Sequence, residues 1–235
     1  MEYLPELKLV VILLFIETAN TVSHSEGGIL MEITWHGHSC FSVESANYRI
    51  ILDPYMMDTY PALHVESDMV LCSHGHADHN NVSAAAIRNN SAENPFTIDK
   101  VDTFHDEENG KLRGKNVMHI LRAEELTLVH CGDLGHFPTS EQLDAISNVD
   151  ALLIPVGGFF TIDAAIAKRI VDAANPRVVV PMHFRHGEHG YPQIGILDDF
   201  TDLFQRESVH FLNDNHFTLT KDEPSGVIVP RYLCE

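Results

Sequence analysis

Short segments in which apolar and polar residues alternate follow one another along the chain from Met31 onward. Segments 31–35 (MEITW), 40–44 (CFSVE) and 48–53 (YRIILD) each place apolar or β-branched residues at a period close to two. That period is typical of strands with one buried face. Segment 68–72 (DMVLC) is a further strand candidate, and it leads directly into a histidine-rich loop. The first part of the chain is therefore predicted to form a sheet.

Strand patterns continue through the rest of the chain, now separated by single helical patterns. The later strand candidates are segments 116–122, 125–131, 150–155, 177–181, 208–212 and 216–220. The clearest helix is segment 162–174, where isoleucine recurs at every fourth position. Thr161 is its expected N-cap, and Asn175 with Pro176 ends it. Shorter helices are predicted at 82–88, 140–147 and 198–205.

This order of elements predicts the fold class. Strands dominate both halves and helices occur singly between them, which favours an α/β or α+β domain whose sheets are covered by helices. The length of the strand-forming region is typical of one domain, predicted from residue 31 to residue 227. Residues 228–235 then form a short tail.

Residues 1–30 are interpreted as an extension outside this domain. Their apolar segment 9–16 (LVVILLFI) is far shorter than the roughly 20 residues that a membrane-spanning helix needs. The alternative is a signal peptide. Two features disfavour it, because Glu2 and Glu6 outweigh Lys8 and no A-x-A cleavage site follows the apolar segment.

The chain is strongly acidic, with 34 Asp and Glu against 15 Lys and Arg and a net charge of -19. It therefore repels phosphate backbones and anionic lipid surfaces, so we expect a small-molecule substrate and neither a nucleic acid nor a membrane as partner. The oligomeric state stays open. The cysteines, Cys40, Cys72, Cys131 and Cys234, form no C-x-x-C pair, which indicates reduced thiols and a cytoplasmic location. Secretion is the alternative if residues 1–30 are a signal peptide.

The most informative chemistry lies in segment 73–79, which reads SHGHADH. Three imidazoles and a carboxylate in so short a segment are the ligand types of metal sites. In an extended loop alternate side chains point the same way, so His74 and His76 can converge on one ion. Asp78 and His79 can then turn toward a second ion. The segment predicts a metal centre at the end of the 68–72 strand.

This H-x-H-x-D-H string resembles the signature of the metallo-β-lactamase superfamily of metal-dependent hydrolases. The similarity covers about 190 residues from Met31 onward. The other matching motifs are WHGHSC at 35–40, LDP at 52–54, TFHD at 103–106, GDLG at 132–135 and PMH at 181–183. The resemblance implies a small, stand-alone member with an αββα sandwich: two mixed sheets, helices outside, and the site at one edge of the sheets.

The resemblance also implies a set of metal ligands and a reaction. One metal would be held by His74, His76 and His105 and the other by Asp78, His79 and His183, with Asp133 bridging them. Two zinc ions are expected, with manganese or iron as the alternative. A metal-bound hydroxide, oriented by Asp78 or Asp133 as catalytic residue, would attack an ester, phosphodiester, lactone or amide bond.

Two other functions stay open. The first is a non-catalytic metal-binding protein, because only 25 residues separate His79 from His105. This spacing is shorter than in similar sequences, and a deletion there could disturb the sheet edge that delivers His105. The second is a metal-dependent redox enzyme, which the sequence disfavours because diiron relatives carry glutamate where His76 stands.

Several neighbours of the implied ligands have two interpretations. Asp53, before Pro54, would either accept the N–H of a ligand imidazole or simply initiate a turn. His36 and His38 are expected to line the site or to be structural, and not to be ligands. Segment 157–160 (GGFF) could present backbone amides and aromatic surface to a ligand, although a tight strand-to-helix turn also needs glycine.

Overall fold

The computed structural model of the protein describes residues 30–233. Residues 1–29 of the predicted extension and Cys234 therefore lie outside the described residues. The strands in this range are β1 (Leu30–Gly37), β2 (Cys40–Ser45), β3 (Tyr48–Leu52), β4 (Val65–Ser67), β5 (Met69–Leu71), β6 (Ala85–Ile87), β7 (Thr97–Phe104), β8 (Lys115–Ala123), β9 (Leu126–His130), β10 (Ala151–Pro155), β11 (Val178–Met182), β12 (Val209–Phe211), β13 (His216–Thr220) and β14 (Gly226–Val229). The α-helices are α1 (Ser140–Ala145), α2 (Ala164–Ala174) and α3 (Asp198–Thr201).

Two mixed sheets form the body of the domain, which confirms the predicted fold class. The smaller sheet has the strand order β13-β1-β2-β3-β5, and the larger one has the order β12-β14-β11-β10-β9-β8-β7. Strands β1 to β3 pair antiparallel, whereas β3 and β5 pair parallel. In the larger sheet β9, β10, β11 and β14 are parallel, and β7 and β8 add an antiparallel edge.

One hydrophobic core joins the two sheets. Met31, Ile33 and Trp35 of β1 are buried, while the residues between them are partly exposed, as the period of two predicts. In β10 and β11 every residue is buried, because the larger sheet is covered on both faces and α2 packs on β10. The shared core therefore fixes the positions of the sheet edges, and of the loops that follow them, relative to one another.

A smaller apolar cluster covers part of the outer face of the smaller sheet. Cys40, Ile51, Tyr55 and Tyr60 are buried there, with strand β4 and its parallel partner β6 beside them. The helix predicted at 82–88 is wrong: a single 3₁₀ turn, Val82–Ala84, leads into β6. Its alanine-rich composition favours a helix only weakly, and pairing with β4 overrides that preference.

The helix predicted at 162–174 is present but begins two residues later than expected. Asp163, and not Thr161, is its N-cap, because the Asp163 carboxylate accepts a hydrogen bond from the Ile166 backbone N–H at 2.8 Å. Strand β14 has no counterpart among the predicted strands. It pairs with β11 and β12 and extends past residue 227, where the sequence pattern placed the end of the domain.

Between residues 30 and 233 no helix has the length and apolar character needed to cross a bilayer.

Candidate metal centre

The residues that the sequence singles out as ligands all follow strands that end at one edge of the two sheets. The loop after β5 carries four of them, and β7, β9 and β11 each lead into a segment that carries one more. Strands β7, β9 and β11 run in the same direction within the larger sheet, so their C-terminal ends meet at the same edge. The short segment before β7 does not prevent this, because β7 pairs with β8 over its whole length and delivers His105.

Asp133 lies at the centre of the cluster. One of its carboxylate oxygens, Oδ2, is 3.1 Å from His105 Nε2 and 3.4 Å from His183 Nε2. The other, Oδ1, is 3.2 Å from His79 Nε2. The carboxylate is only 1% exposed and stands between imidazoles from three separate loops. This is the position that a bridging ligand would occupy.

The possible ligand atoms form three overlapping groups, each with all its atoms within 4.8 Å of one another. The groups are His74 with His76 and His105; His74 with His79 and Asp133; and His38 with Asp78, His79 and His183. The structure thus brings together all seven side chains named from the sequence. It adds His38 to them.

Several polar atoms of the cluster have no hydrogen-bond partner within the described part of the chain. The buried atoms without a hydrogen bond include Nε2 of His74 and His79, both ring nitrogens of His38 and His183, and Oδ1 of Asp133. A buried polar atom without a hydrogen bond costs free energy. So many of these atoms at one place indicate a bound group that interacts with several of them at once. Imidazole nitrogens and carboxylate oxygens suit zinc, manganese or iron, so the donor set fits a divalent metal.

Asp53 orients one of these imidazoles from behind. Its Oδ2 accepts hydrogen bonds from His79 Nδ1 at 2.8 Å and from Ser73 Oγ at 2.6 Å, and its Oδ1 accepts one from the Ser73 backbone N–H. Burial alone would raise the pKa of Asp53, but the neighbouring His79 charge and these hydrogen bonds lower it to about 2. The carboxylate therefore stays ionised, and it is an acceptor to a candidate ligand rather than an ordinary turn residue.

His38 is the member of the cluster that sequence reasoning did not name as a ligand. It is fully buried, its ring centroid lies 4.3 Å from that of His183, and its Nε2 lies 3.7 Å from Asp78 Oδ2. Burial, and then the charge of His183, lower its pKa to about 4, so the ring is neutral and able to bind a cation. His36, two residues earlier, instead contacts Ser42 Oγ at 3.0 Å. The H-x-H spacing was the signal for His38, and only one of the two histidines reaches the site.

The backbone around the site adopts conformations that side chains disfavour. His38, Asp53 and His183 all have φ between 47° and 54°, the left-handed region. Such residues persist only where the surrounding structure enforces them, and they concentrate at functional sites. At Gly135, in the Asp133 loop, a Cβ atom would lie 2.2 Å from the backbone of His105 and Asp106. The missing side chain lets the two ligand-bearing loops approach each other.

A cavity of about 380 Å³ opens over the cluster. Its wall consists of His76, Ala77, Asp78, His105, Arg113, Asp133, Phe160 and Tyr191. Phe160 belongs to the 157–160 segment, which therefore does bring aromatic surface to the site. Burial, and then Asp78, raise the pKa of Tyr191 to about 12, so its hydroxyl stays protonated.

Two facing mixed sheets with a buried histidine and aspartate centre at one edge are typical of metal-dependent hydrolases. A sequence model of the Beta-lactamase superfamily domain matches residues 32–183, and the chain belongs to that superfamily. The superfamily that the motifs implied is therefore confirmed.

Individual relatives agree with this assignment. A UPF0173 metal-dependent hydrolase of Thermoplasma acidophilum is 28% identical over 188 residues, which are 66% of this chain and 83% of the relative. A Thermotoga maritima protein, described as a candidate Zn-dependent hydrolase of the metallo-β-lactamase superfamily, superposes with a TM-score of 0.66 at 32% identity and covers 85% of this chain and 97% of its own. Igni18, a metallo hydrolase of Ignicoccus hospitalis, has a TM-score of 0.57 at 21% identity over 74% of this chain and 90% of its own, and supports the fold alone.

Proposed function

We propose that this hydrolase binds two divalent cations and cleaves an ester, phosphodiester, lactone or amide bond of a small molecule. The observation that carries the proposal is the position of Asp133. Its carboxylate lies 3.1 Å from His105, and it also lies 3.2 Å from His79 and 3.4 Å from His183. A carboxylate that can reach two sets of ligands at once is what a dinuclear site requires.

The ligands divide into two sets around this carboxylate. His74, His76 and His105 would hold one cation, Asp78, His79 and His183 would hold the other, and Asp133 would bridge them. Zinc fits the imidazole-rich first set, whereas manganese or iron would also accept the mixed second set. When bound, such cations supply Lewis acidity that polarises the attacked bond and lowers the pKa of water.

The different exposures of Asp133 and Asp78 indicate different roles for these two carboxylates. Asp133 is 1% exposed and enclosed by imidazoles, so it holds the ligands in place. Asp78 is 13% exposed and lines the cavity. Its neighbours His38 and His79 offset the effect of burial and hold the pKa of Asp78 well below its usual range. The ionised Asp78 can therefore accept a hydrogen bond from an attacking water and orient it, while the protonated Tyr191, which also lines the cavity, can donate a hydrogen bond to the leaving group.

The substrate and its location form part of the same proposal. A cavity of about 380 Å³ suits a small molecule, and the net charge of -19 disfavours nucleic acids and anionic membranes as partners. Cys40, Cys72 and Cys131 are free thiols, which fits a reducing compartment such as the cytoplasm.

The test measures metal content and turnover on the same samples. Purified protein should contain about two divalent cations per chain and hydrolyse at least one member of a panel of phosphodiester, lactone, thioester, ester and amide substrates. His74→Ala and His76→Ala should lose both properties, because each removes an imidazole from the first set. His210→Ala, an exposed histidine on β12, should change neither. Full metal content and unchanged rates in the His74 and His76 variants would contradict the proposal, and a metal-loaded protein without activity would indicate a metal-binding protein.

A further inference from the structure

We infer that Arg113 anchors an anionic group of the substrate, which makes the substrate class small molecules that carry a carboxylate or phosphate beside the scissile bond. The inference rests on the proposed function, because it concerns the cavity over the same metal centre. It goes further by assigning the recognition of substrate to a residue that is neither a metal ligand nor a neighbour of one in the sequence motifs.

Arg113 lies in the cavity wall together with His105 and Asp133. Its Nη2 donates a hydrogen bond to the Phe159 carbonyl oxygen at 3.0 Å, and its Cζ lies 5.7 Å from the centre of the Phe160 ring. The carbonyl and the ring hold the guanidinium in place, yet they leave several of its five N–H donors available.

Arg113 forms no ion pair among the described residues. No carboxylate within residues 30–233 comes within 4.0 Å of its guanidinium. By contrast, Arg49, Arg88, Arg122 and Arg177 each pair with a carboxylate. In a chain with more than twice as many acidic as basic residues, an arginine that lines the cavity without an acidic partner leaves its charge for a ligand.

The loop that carries Arg113 is organised in advance. Asp106 follows the candidate ligand His105, and its carboxylate accepts hydrogen bonds from the backbone N–H groups of Glu108, Gly110, Leu112 and Arg113 at 2.8 to 3.0 Å. Asp106 is only 3% exposed. One buried carboxylate therefore links the end of the loop that carries His105 to the end that carries Arg113. The distance between the metal centre and the Arg113 guanidinium should then vary little. Such pre-organisation reduces the entropy lost on binding.

The electrostatics of the cavity favour an anion once the metal centre is loaded. Two divalent cations outweigh the negative charges of Asp78 and Asp133, and Arg113 adds a further positive charge at the rim. A planar guanidinium binds carboxylate and phosphate through two parallel hydrogen bonds, which makes it a stronger anchor than lysine. The overall negative charge of the chain acts weakly here, because salt screens charges beyond about 8 Å at physiological ionic strength.

Part of the cavity wall beside Arg113 is aromatic. The rings of Phe160 and Tyr191 lie 5.3 Å apart, centre to centre, and face the same space as Arg113. They offer apolar surface to the part of the substrate between its anionic group and its scissile bond. The substrate that fits has an anionic end against Arg113 and a short apolar body.

Binding of simple anions tests the inference without turnover. Inorganic phosphate and acetate are titrated separately into metal-loaded protein by calorimetry, for the wild type, Arg113→Ala and Arg113→Lys. Arg206→Ala, which removes an exposed arginine just before β12 at the edge of the larger sheet opposite β7, is the matched control. We expect Arg113→Ala to weaken binding of the preferred anion about 10-fold or more, as the loss of a charge-assisted hydrogen bond predicts. Arg113→Lys should weaken its binding less, and Arg206→Ala should leave the affinity unchanged. The anion that responds more strongly identifies carboxylate or phosphate as the preferred group.

A kinetic comparison adds a second readout with one leaving group. The first ratio divides kcat/KM for mono-p-nitrophenyl succinate by kcat/KM for p-nitrophenyl acetate, and the second divides kcat/KM for bis(p-nitrophenyl) phosphate by the same reference. The ratio for the preferred anionic group should fall about 10-fold in Arg113→Ala, mainly through KM. Equal anion affinities and equal ratios in Arg113→Ala and wild type, at full metal content, would overturn the role of Arg113 and leave the hydrolase proposal intact. A wild type that takes up no metal would overturn the hydrolase proposal and this inference with it.

Discussion

Asp53 Oδ2 lies 2.8 Å from His79 Nδ1, and both side chains are fully buried. A carboxylate can only accept here, so Nδ1 of His79 carries a proton and donates it to Asp53, and Nε2, which lies 3.2 Å from Asp133 Oδ1, is the nitrogen left to bind a metal. One residue at the end of β3 thus determines which nitrogen of a candidate ligand is free to bind a metal. Partners of this kind fix the orientation of ligand imidazoles.

Asp53→Asn should weaken metal binding about 10- to 100-fold, because an amide no longer favours the correct protonation state of His79. The measurement is competition with a chromogenic chelator. Asp214→Asn is the matched control, since Asp214 and His216 form a similar pair, 3.0 Å apart, that is more than half exposed. Equal metal affinity in Asp53→Asn and wild type would show that His79 needs no partner behind it.

His38→Ala should reduce the metal content from about two equivalents toward one. The reason is that His38 belongs to the group with Asp78, His79 and His183, and both of its ring nitrogens are buried without a hydrogen bond in the described residues. Metal analysis and the visible spectrum of the cobalt-substituted protein report the loss directly. His119→Gln is the control, because His119 is equally buried on β8 but belongs to no possible ligand group among residues 30–233. Two retained equivalents in His38→Ala would return His38 to a structural role.

Gly135→Ala should destabilise the protein by about 1–3 kcal/mol, the usual cost of an overpacked site, and should lower its metal content. The new Cβ would lie 2.2 Å from the backbone of His105 and Asp106, which must then move. Gly75→Ala, between His74 and His76, should change neither property, because its Cβ would meet nothing within 4 Å. Urea unfolding measures the stability of both variants, and metal analysis measures their metal content. Equal losses in Gly75→Ala and Gly135→Ala would contradict the steric explanation.

Asp68 should contribute stability that depends on pH. Its side chain is 6% exposed and pairs with the Arg88 guanidinium, while the Arg49 backbone N–H donates to it at 2.7 Å. The hydrogen bond from Arg88 is the main cause that holds the pKa of Asp68 below its usual value. A lowered folded pKa means that the stabilisation is complete above the unfolded pKa of about 3.9 and is lost as the pH falls through the folded value.

Asp68→Asn should therefore lower the free energy of unfolding by about 1–3 kcal/mol at pH 7, and the difference from wild type should shrink below about pH 4. Urea unfolding at both pH values measures it. Asp99→Asn removes a more exposed ion pair with Arg122 and should cost less than about 1 kcal/mol at either pH. A difference for Asp68→Asn that persists unchanged in acid would exclude its charge as the cause.

Local patterns predicted most strands because the period of two reports which face of a segment is buried. Strands β1, β2 and β3 and the β8–β9 pair fall where alternation places them. Alternation could not predict β14, a four-residue strand whose buried position comes from lying between β11 and β12. Composition misled at 82–88, where pairing with β4 decided the conformation.

The sequence by itself determined the chemistry of this protein. Segment 73–79 brings three imidazoles and a carboxylate within reach of one another through chain connectivity alone, so the metal-binding class and the superfamily could be read from it. Tertiary structure decided which distant residues join them. His38 and Arg113 reach the site only because sheet pairing and loop packing place segments far apart in the chain side by side. Residue spacing describes a segment's own faces, and it contains no information about which other segment will pack against them.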